Sequence, residues 1–141
     1  MDPRVARVKQ FFEKLSPDDV ARLGEIYAPQ AYFKDPFNEV RGVPAIAHIF
    51  EHMFVQVDAP RFEIRDAVAQ GDDAFLTWDF RFRLRRLRRD EQVVRGASHL
   101  KLDTDGRVTY HRDYWDAAEE LYEKLPLLGG LMRLLKRQAA R

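Results

Sequence analysis

Two residues near the end of the chain, His111 and Asp113, have the types and spacing needed for proton transfer. Side chains two residues apart lie on the same face of a β-strand, with their α-carbons about 7 Å apart. An imidazole and a carboxylate at this distance can share one substrate or one water molecule. Trp115 continues the same face. The alternative is a hydrogen-bonded pair with a purely structural role.

Asp35 is a second candidate, because it follows a short aromatic stretch. If Phe33 and Asp35 share the inward side of a short strand, the carboxylate lies among aromatic side chains, where it can act as a general base. The alternative is that Asp35 and Pro36 begin a turn. The spacing leaves both interpretations open.

The segment HIFEH (48–52) fits the His-x-x-Glu-His pattern of inverted zinc peptidases. Helical spacing, however, places His48, Glu51 and His52 opposite the apolar face of the same helix. We therefore predict a solvated helix face, no metal site and no cofactor. The chain contains no cysteine, which excludes disulfides, cysteine-based zinc sites and thiol nucleophiles.

The composition predicts a single globular domain. The 141 residues are 45% hydrophobic and 33% charged, with a formal net charge of +1, so no overall basic field favours nucleic acid. The first residues lack the apolar core of a signal peptide, and no apolar run approaches the ~20 residues of a membrane span. We expect a soluble, cytoplasmic protein. The densest basic run is expected to form a solvated or dimer-facing sheet surface; it consists of Arg81, Arg83, Arg85, Arg86, Arg88 and Arg89.

Helical periodicity and capping residues predict three helices before any long strand. They cover about residues 3–15, 16–28 and 44–57, with a short edge strand at 31–37 between the last two. Beyond Pro60 the apolar period changes from 3.6 to 2. Four antiparallel strands follow, and the clearest alternates between an apolar and a cationic side over residues 76–85. Helices followed by a meander predict an α+β fold.

This order resembles the cone-shaped fold of nuclear transport factor 2 and ketosteroid isomerase, a curved antiparallel sheet packed against three N-terminal helices. The segments YAPQAYFKDPF (27–37) and RGVPAI (41–46) are similar to the isomerase, and DGRVTYHRDYWD (105–116) is similar to the closing strand of SnoaL-type polyketide cyclases and limonene epoxide hydrolases. The resemblance covers about residues 3–118. Residues 119–141 then form a short C-terminal helical extension, which we read as a lid or dimer helix rather than a membrane contact.

The resemblance implies a cavity for a small apolar or polycyclic ligand and a homodimer formed through the sheet. It makes Asp35 the general base, with His111 as proton donor or oxyanion partner and Asp113 orienting His111. The pocket is expected to be lined by Phe33, Trp78, Phe80, Phe82, Ser98, Leu100 and Trp115.

The donors that bind the oxyanion in ketosteroid isomerase are replaced in this chain. Phe11 stands where the isomerase has its tyrosine, and Ser98 stands at its second donor. Tyr27, Tyr32 or His111 are the possible substitutes.

Three functions remain open on this sequence. The first is a cofactor-free isomerase or cyclase that transfers a proton next to a carbonyl. The second is a noncatalytic ligand-binding or protein-interaction module. An epoxide hydrolase is a weaker alternative, because Asp113 matches one of its acids but Asp79 and Arg81 fall on the opposite sheet face.

Overall fold

The computed structural model describes residues 1–84 and 90–120. Three helices lie in the first part of the chain: α1, a 3₁₀ helix and α2 (Pro3–Glu13, Pro17–Glu25 and Val43–Gln56). Six strands, β1 to β6, are Tyr27–Lys34, Glu39–Arg41, Val57–Gln70, Asp73–Leu84, Glu91–Leu102 and Val108–Tyr114. A short helix, α3, covers Ala117–Glu120. The predicted α+β class and element order are confirmed.

The second helix differs from its prediction in type and length. Its capping box forms as expected, with Ser16 N donating to the Asp19 carboxylate at 2.9 Å. It is a 3₁₀ helix, however, and it ends at Glu25 rather than near Ala28. The chain leaves the helix early because Tyr27 already belongs to β1 and is completely buried there.

The strands form one sheet in the order β2-β1-β6-β5-β4-β3. All neighbouring pairs are antiparallel except β1 and β6, which run parallel. The predicted four-stranded meander is therefore extended by β1 and β2 into a six-stranded mixed sheet. Its parallel pair brings the start of β1 beside the start of β6.

Two prolines, residues that interrupt the backbone hydrogen bonds of regular structure, lie inside strands. Pro29 lies in β1, where the pairing with β6 shifts between Tyr27 and Tyr32. Pro60 lies in β3, an edge strand whose pairing with β4 shifts between Asp58 and Arg61. A proline lacks the N–H of a ladder bond, so strands accept it at edges and irregularities of this kind.

The helices pack on the inner face of the sheet and form a continuous core with it. α1 contributes Val5, Val8 and Phe12 to this core, and α2 contributes Ile46 and Phe50. From the sheet, the inward side of β4 is buried as the alternation predicts, at Leu76, Trp78 and Phe82. The inner face of the sheet is therefore apolar and largely covered.

The outer face of the sheet carries paired charges rather than the arginine-rich surface expected from the sequence. Acidic side chains alternate with the basic ones across β3, β4 and β5. Three close pairs are Arg81–Glu63 at 2.8 Å, Arg65–Asp79 at 2.7 Å and Arg61–Glu91 at 3.0 Å. The prediction missed the pairing because Arg61, Glu63 and Arg65 come from β3, and only the strand register shows that they lie beside charges of β4 and β5. Arg85, Arg86, Arg88 and Arg89 lie outside the described residues.

Only the first two residues of the predicted extension 119–141 lie within the described part of the chain, and both belong to α3. In residues 1–84 and 90–120 no helix is long and apolar enough to cross a membrane.

Candidate functional site

A cavity of about 810 Å³ lies between the helices and the inner face of the sheet. This volume is within the usual range for small-molecule sites, about 300–1,000 Å³. All ten side chains that the sequence predicts for the site line this one cavity: Phe33, Asp35, Trp78, Phe80, Phe82, Ser98, Leu100, His111, Asp113 and Trp115. The helices add lining residues that the sequence does not single out, including Phe12, Ile49, Phe50 and Met53.

A chain of four hydrogen bonds crosses four strands at the wall of this cavity. Trp78 Nε1 donates to Ser98 Oγ at 2.9 Å, and Ser98 Oγ donates to Asp113 Oδ1 at 2.5 Å. The same Oδ1 atom lies 2.6 Å from His111 Nε2. His111 Nδ1 lies 2.6 Å from the Tyr27 hydroxyl. The strand register creates this chain, since Ser98 pairs with Asp113 and Leu100 with His111.

The indole of Trp78 and the carboxylate of Asp113 fix the direction of the bonds. An indole N–H can only donate, so the Ser98 hydroxyl accepts from Trp78 and gives its own proton to Asp113. A carboxylate can only accept, so His111 carries its proton on Nε2 and donates it to Asp113. Nδ1 of the neutral imidazole then accepts from the Tyr27 hydroxyl. Both nitrogens of the imidazole are therefore occupied.

The Tyr27 hydroxyl keeps its proton and therefore remains a hydrogen-bond donor. Burial raises the pKa of its hydroxyl well above the usual value of 10, and the negative charge of Asp113 adds to the shift. Its ring also lies nearly parallel to the imidazole of His111, with centroids 5.9 Å apart. The sequence suggests Tyr27 only as a donor to a ligand, whereas the structure places it behind the imidazole as a residue that positions His111.

Gly96 allows Trp78 to reach Ser98. A Cβ atom on Gly96 would lie 2.4 Å from the Trp78 ring, so the indole occupies the space of the missing side chain. The two residues are paired across β4 and β5. A glycine inside an alternating strand pattern is the sequence signal for such a close approach.

Asp35 stabilises a turn at Pro36, one of the two roles proposed from the sequence, and it also lines the cavity, the other role. Its Oδ1 atom accepts from the backbone N–H groups of Phe37 and Asn38, at 2.8 and 2.7 Å. The Asn38 side-chain amide donates to both of its carboxylate oxygens. Among the described residues no hydrogen bond links Asp35 to His111 or Asp113. The turn therefore uses much of the capacity of Asp35 to accept hydrogen bonds.

The helix face that carries His48 and His52 is exposed as predicted, but both imidazoles also line the mouth of the cavity. Their ring centroids are 5.7 Å apart. Helical spacing relates a side chain to its own helix and does not show where the opening of a neighbouring cavity lies. In residues 1–84 and 90–120 no three His, Asp or Glu side chains are grouped to hold a metal ion.

The possible oxyanion donors occupy different places. Phe11 packs edge-on against Phe12 and does not line the cavity. The Tyr32 hydroxyl donates to Glu39 at 2.6 Å at an exposed site. The indole N–H of Trp115, a cavity residue, has no hydrogen-bond partner among the described residues. This N–H is a candidate donor to a ligand, and the sequence predicts only the ring of Trp115.

The protein is a small α+β domain with a cavity between its helices and its sheet. Its sequence shows which family of such domains it belongs to. Residues 8–111 match the family model of the SnoaL-like domain. The chain belongs to the SnoaL-like domain family. No curated protein matches this sequence significantly.

Solved structures with the same fold include proteins with different assignments. A Catenulispora acidiphila protein with a ketosteroid isomerase-like fold, in complex with trimethylamine, has a TM-score of 0.72 and 15% identity over 86% of this chain and 91% of its own. A Shewanella putrefaciens protein assigned as a SnoaL-like polyketide cyclase has a TM-score of 0.71 and 20% identity, covering 86% and 97%. An M. tuberculosis epoxide hydrolase has a TM-score of 0.70 and 20% identity, covering 95% and 96%. At these identities the likeness shows the fold alone.

Proposed function

We propose that this protein binds a small apolar or polycyclic ketone in the cavity and transfers a proton next to its carbonyl, as an isomerase or cyclase without a cofactor. The observation that carries the proposal is the chain of hydrogen bonds from Trp78 to Tyr27, which fixes one carboxylate in an aromatic cavity. Preorganised polar groups in a site that excludes water are the usual basis of such catalysis.

Asp113 is the general base in this proposal. Ser98 and His111 hold its Oδ1 atom, while Oδ2 has no hydrogen-bond partner within the described ranges. Oδ2 takes a proton from the carbon next to the carbonyl, and the electron pair of that C–H bond forms an enolate. An isomerase returns the proton to another carbon. In a cyclase the enolate carbon attacks a second carbonyl of the same molecule, the π electrons of that carbonyl move to its oxygen, and the resulting alkoxide takes the proton back from Asp113.

These roles differ from those that the resemblance implies. His111 orients Asp113 and donates to it, because both imidazole nitrogens are already engaged. Asp35 shapes the turn at the cavity, since Phe37 and Asn38 donate to its carboxylate. The Trp115 indole N–H is the donor that stabilises the enolate oxygen.

Exchange of the carbon-bound proton tests this proposal without knowledge of the natural substrate. Two probes, 2-decalone and cyclohex-3-en-1-one, are incubated in D₂O, and deuterium incorporation beside the carbonyl is followed by NMR. The wild-type protein should accelerate exchange, and Asp113→Asn should lower the acceleration about 100-fold or more, the usual contribution of a general base. Asp35→Asn should retain the rate within about threefold. Asp105→Asn, in the exposed turn between β5 and β6, is the matched control.

Full exchange in Asp113→Asn would overturn the assignment of the base. Binding of the ketones without any exchange by the wild type would favour the second candidate, a noncatalytic binding module. The saturated hydrogen bonds of His111 favour that candidate, because they show that the polar groups can satisfy one another.

An epoxide hydrolase is less favoured. It needs a second acid and an arginine near Asp113, but Asp79 binds Arg65 and Arg81 pairs with Glu63 on the outer face of the sheet.

Two copies of the chain associate through the outer face of the sheet in this proposal. An aromatic row crosses four strands there and consists of Phe75, His99, Tyr110 and Tyr32. Phe75 remains 49% exposed. Charges beside the row are paired, Lys101 with Asp73 at 3.3 Å and Lys34 with Glu39 at 4.0 Å, so identical faces can meet without net repulsion.

A further inference from the structure

The charged side chains of the cavity are of one sign. Although the chain contains 24 Lys and Arg residues, none of those in the described part of the chain lines the cavity. Asp35 and Asp113 are both present in the lining. The remaining titratable lining groups are His48, His52 and His111. With histidine counted as neutral, the charged groups of the lining are carboxylates.

One of these carboxylates lacks a full set of partners. The Asp113 side chain is 18% exposed, and its two hydrogen bonds both go to Oδ1. Among the described residues no group donates to Oδ2. A carboxylate oxygen held away from bulk water is stabilised by a donor or a cation placed beside it.

The walls around Asp113 are aromatic. The cavity is lined by the rings of Phe33, Phe62, Trp78, Phe80, Phe82 and Trp115, among others. Aromatic faces carry a negative electrostatic potential, so they attract a cation and repel an anion. The rings and the carboxylate therefore favour the same sign of ligand charge.

We propose that this cavity selects its ligand by charge and prefers a molecule with an apolar body and an ammonium group over its neutral and anionic counterparts. The ammonium lies against the aromatic walls and is attracted by the charge of Asp113, while the ketone of the same molecule lies beside Oδ2 for proton transfer. Carboxylates and phosphate esters are the disfavoured class. This inference names the ligand class of the cavity and rests on the proposed binding function.

Three ligands with one body test the preference: adamantan-1-ylammonium, adamantan-1-ol and adamantane-1-carboxylate. Their affinities are measured by calorimetry on the full chain at about pH 8. The ammonium should bind about tenfold more tightly than the alcohol, as expected for a partly desolvated cation on aromatic rings. The carboxylate should bind more weakly than the alcohol.

Asp113→Asn keeps the side-chain shape and removes the charge. It should reduce the preference for the ammonium over the alcohol about tenfold, and circular dichroism checks that the variant is folded. Asp105→Asn, which lies outside the cavity, should behave as the wild type.

Two results would overturn the charge preference but not the proposed binding function. In the first, adamantane-1-carboxylate binds the wild type as tightly as the ammonium ligand does. In the second, Asp113→Asn still prefers the ammonium ligand. If the wild type binds none of the three ligands, the proposed binding function fails, and the charge preference fails with it.

Discussion

The indole of Trp78 lies over Gly96 on the adjacent strand, so closely that a Cβ atom there would be 2.4 Å from the ring. The ring occupies the place of the missing side chain, and from there its N–H reaches Ser98. The glycine therefore determines the orientation of Ser98, and through Ser98 that of the Asp113 carboxylate.

Gly96→Ala should displace the indole and break its bond to Ser98. Overpacking of this kind costs about 1–3 kcal/mol of unfolding free energy, measurable by urea denaturation, and it should change the near-ultraviolet circular dichroism of Trp78. Gly24→Ala is the control, because nothing lies within 4 Å of a Cβ atom at that position. Equal effects of the two substitutions would show that the close approach is unimportant.

Tyr27→Phe should change stability in two pH ranges. Near pH 7 the unfolding free energy of the variant should be about 1–3 kcal/mol lower, because the buried His111 Nδ1 atom is left without its donor. Because the pKa of Tyr27 is raised in the folded state, the wild type should also lose stability at high pH. The contribution of Tyr27 to the unfolding free energy is fully present below pH 10, the pKa of an unfolded tyrosine, and is lost as the pH rises through the folded pKa.

Urea denaturation at several pH values above 10 measures this slope. The unfolding free energy of the wild type should fall with a Tyr27 contribution of up to about 1.4 kcal/mol per pH unit, and Tyr27→Phe should lack that contribution. Tyr32→Phe is the comparison, because its hydrogen bond to Glu39 also raises the Tyr32 pKa but at an exposed site. A slope in Tyr27→Phe as steep as that of the wild type would contradict the prediction.

Trp115→Phe separates binding from proton transfer. The phenyl ring keeps much of the apolar contact with Phe37, whose centroid lies 5.6 Å from that of Trp115, but the indole N–H is lost. Deuterium exchange into 2-decalone should fall about 100-fold, the usual effect of removing one oxyanion donor. The affinity for the ketone, measured by calorimetry, should change less than about threefold. A parallel loss of affinity and exchange would assign Trp115 to ligand binding alone.

Phe75→Glu should dissociate the proposed dimer, because it places a charge in the aromatic row of the outer face. Sedimentation equilibrium should show a dimer for the wild type and a monomer for the variant. Val55→Glu introduces the same charge at a 67% exposed position on α2 and should remain dimeric. A monomeric wild type at about 100 μM would rule out the association.

The local patterns of this sequence predict the sheet well and its long-range pairings poorly. Alternation in β4 places Trp78 and Phe82 inward, and the same rule puts His111 and Asp113 on one face. The position of Tyr27 depends on the parallel pairing of β1 with β6, which no local period encodes. The hydrogen bond between Tyr27 and His111 could not be predicted for that reason.

The two interpretations of Asp35 show a second limit. An Asp-Pro pair with Asn38 nearby carries a turn signal, and the fold also brings the carboxylate to the cavity. The sequence supports both a turn and a cavity-facing carboxylate, because one aspartate can serve both. Only the hydrogen bonds show that the turn engages the carboxylate of Asp35.

The parallel pairing of β1 and β6 also means that the site forms late in folding. Tyr27 and His111 are 84 residues apart in the chain, and contacts this distant form only after the intervening strands have closed the loop between them. During synthesis the buried Tyr27 has no imidazole beside it until β6, which carries His111, has left the ribosome. A half-made chain therefore holds neither the fixed carboxylate nor the complete cavity, and the site becomes available only with nearly the whole sheet in place.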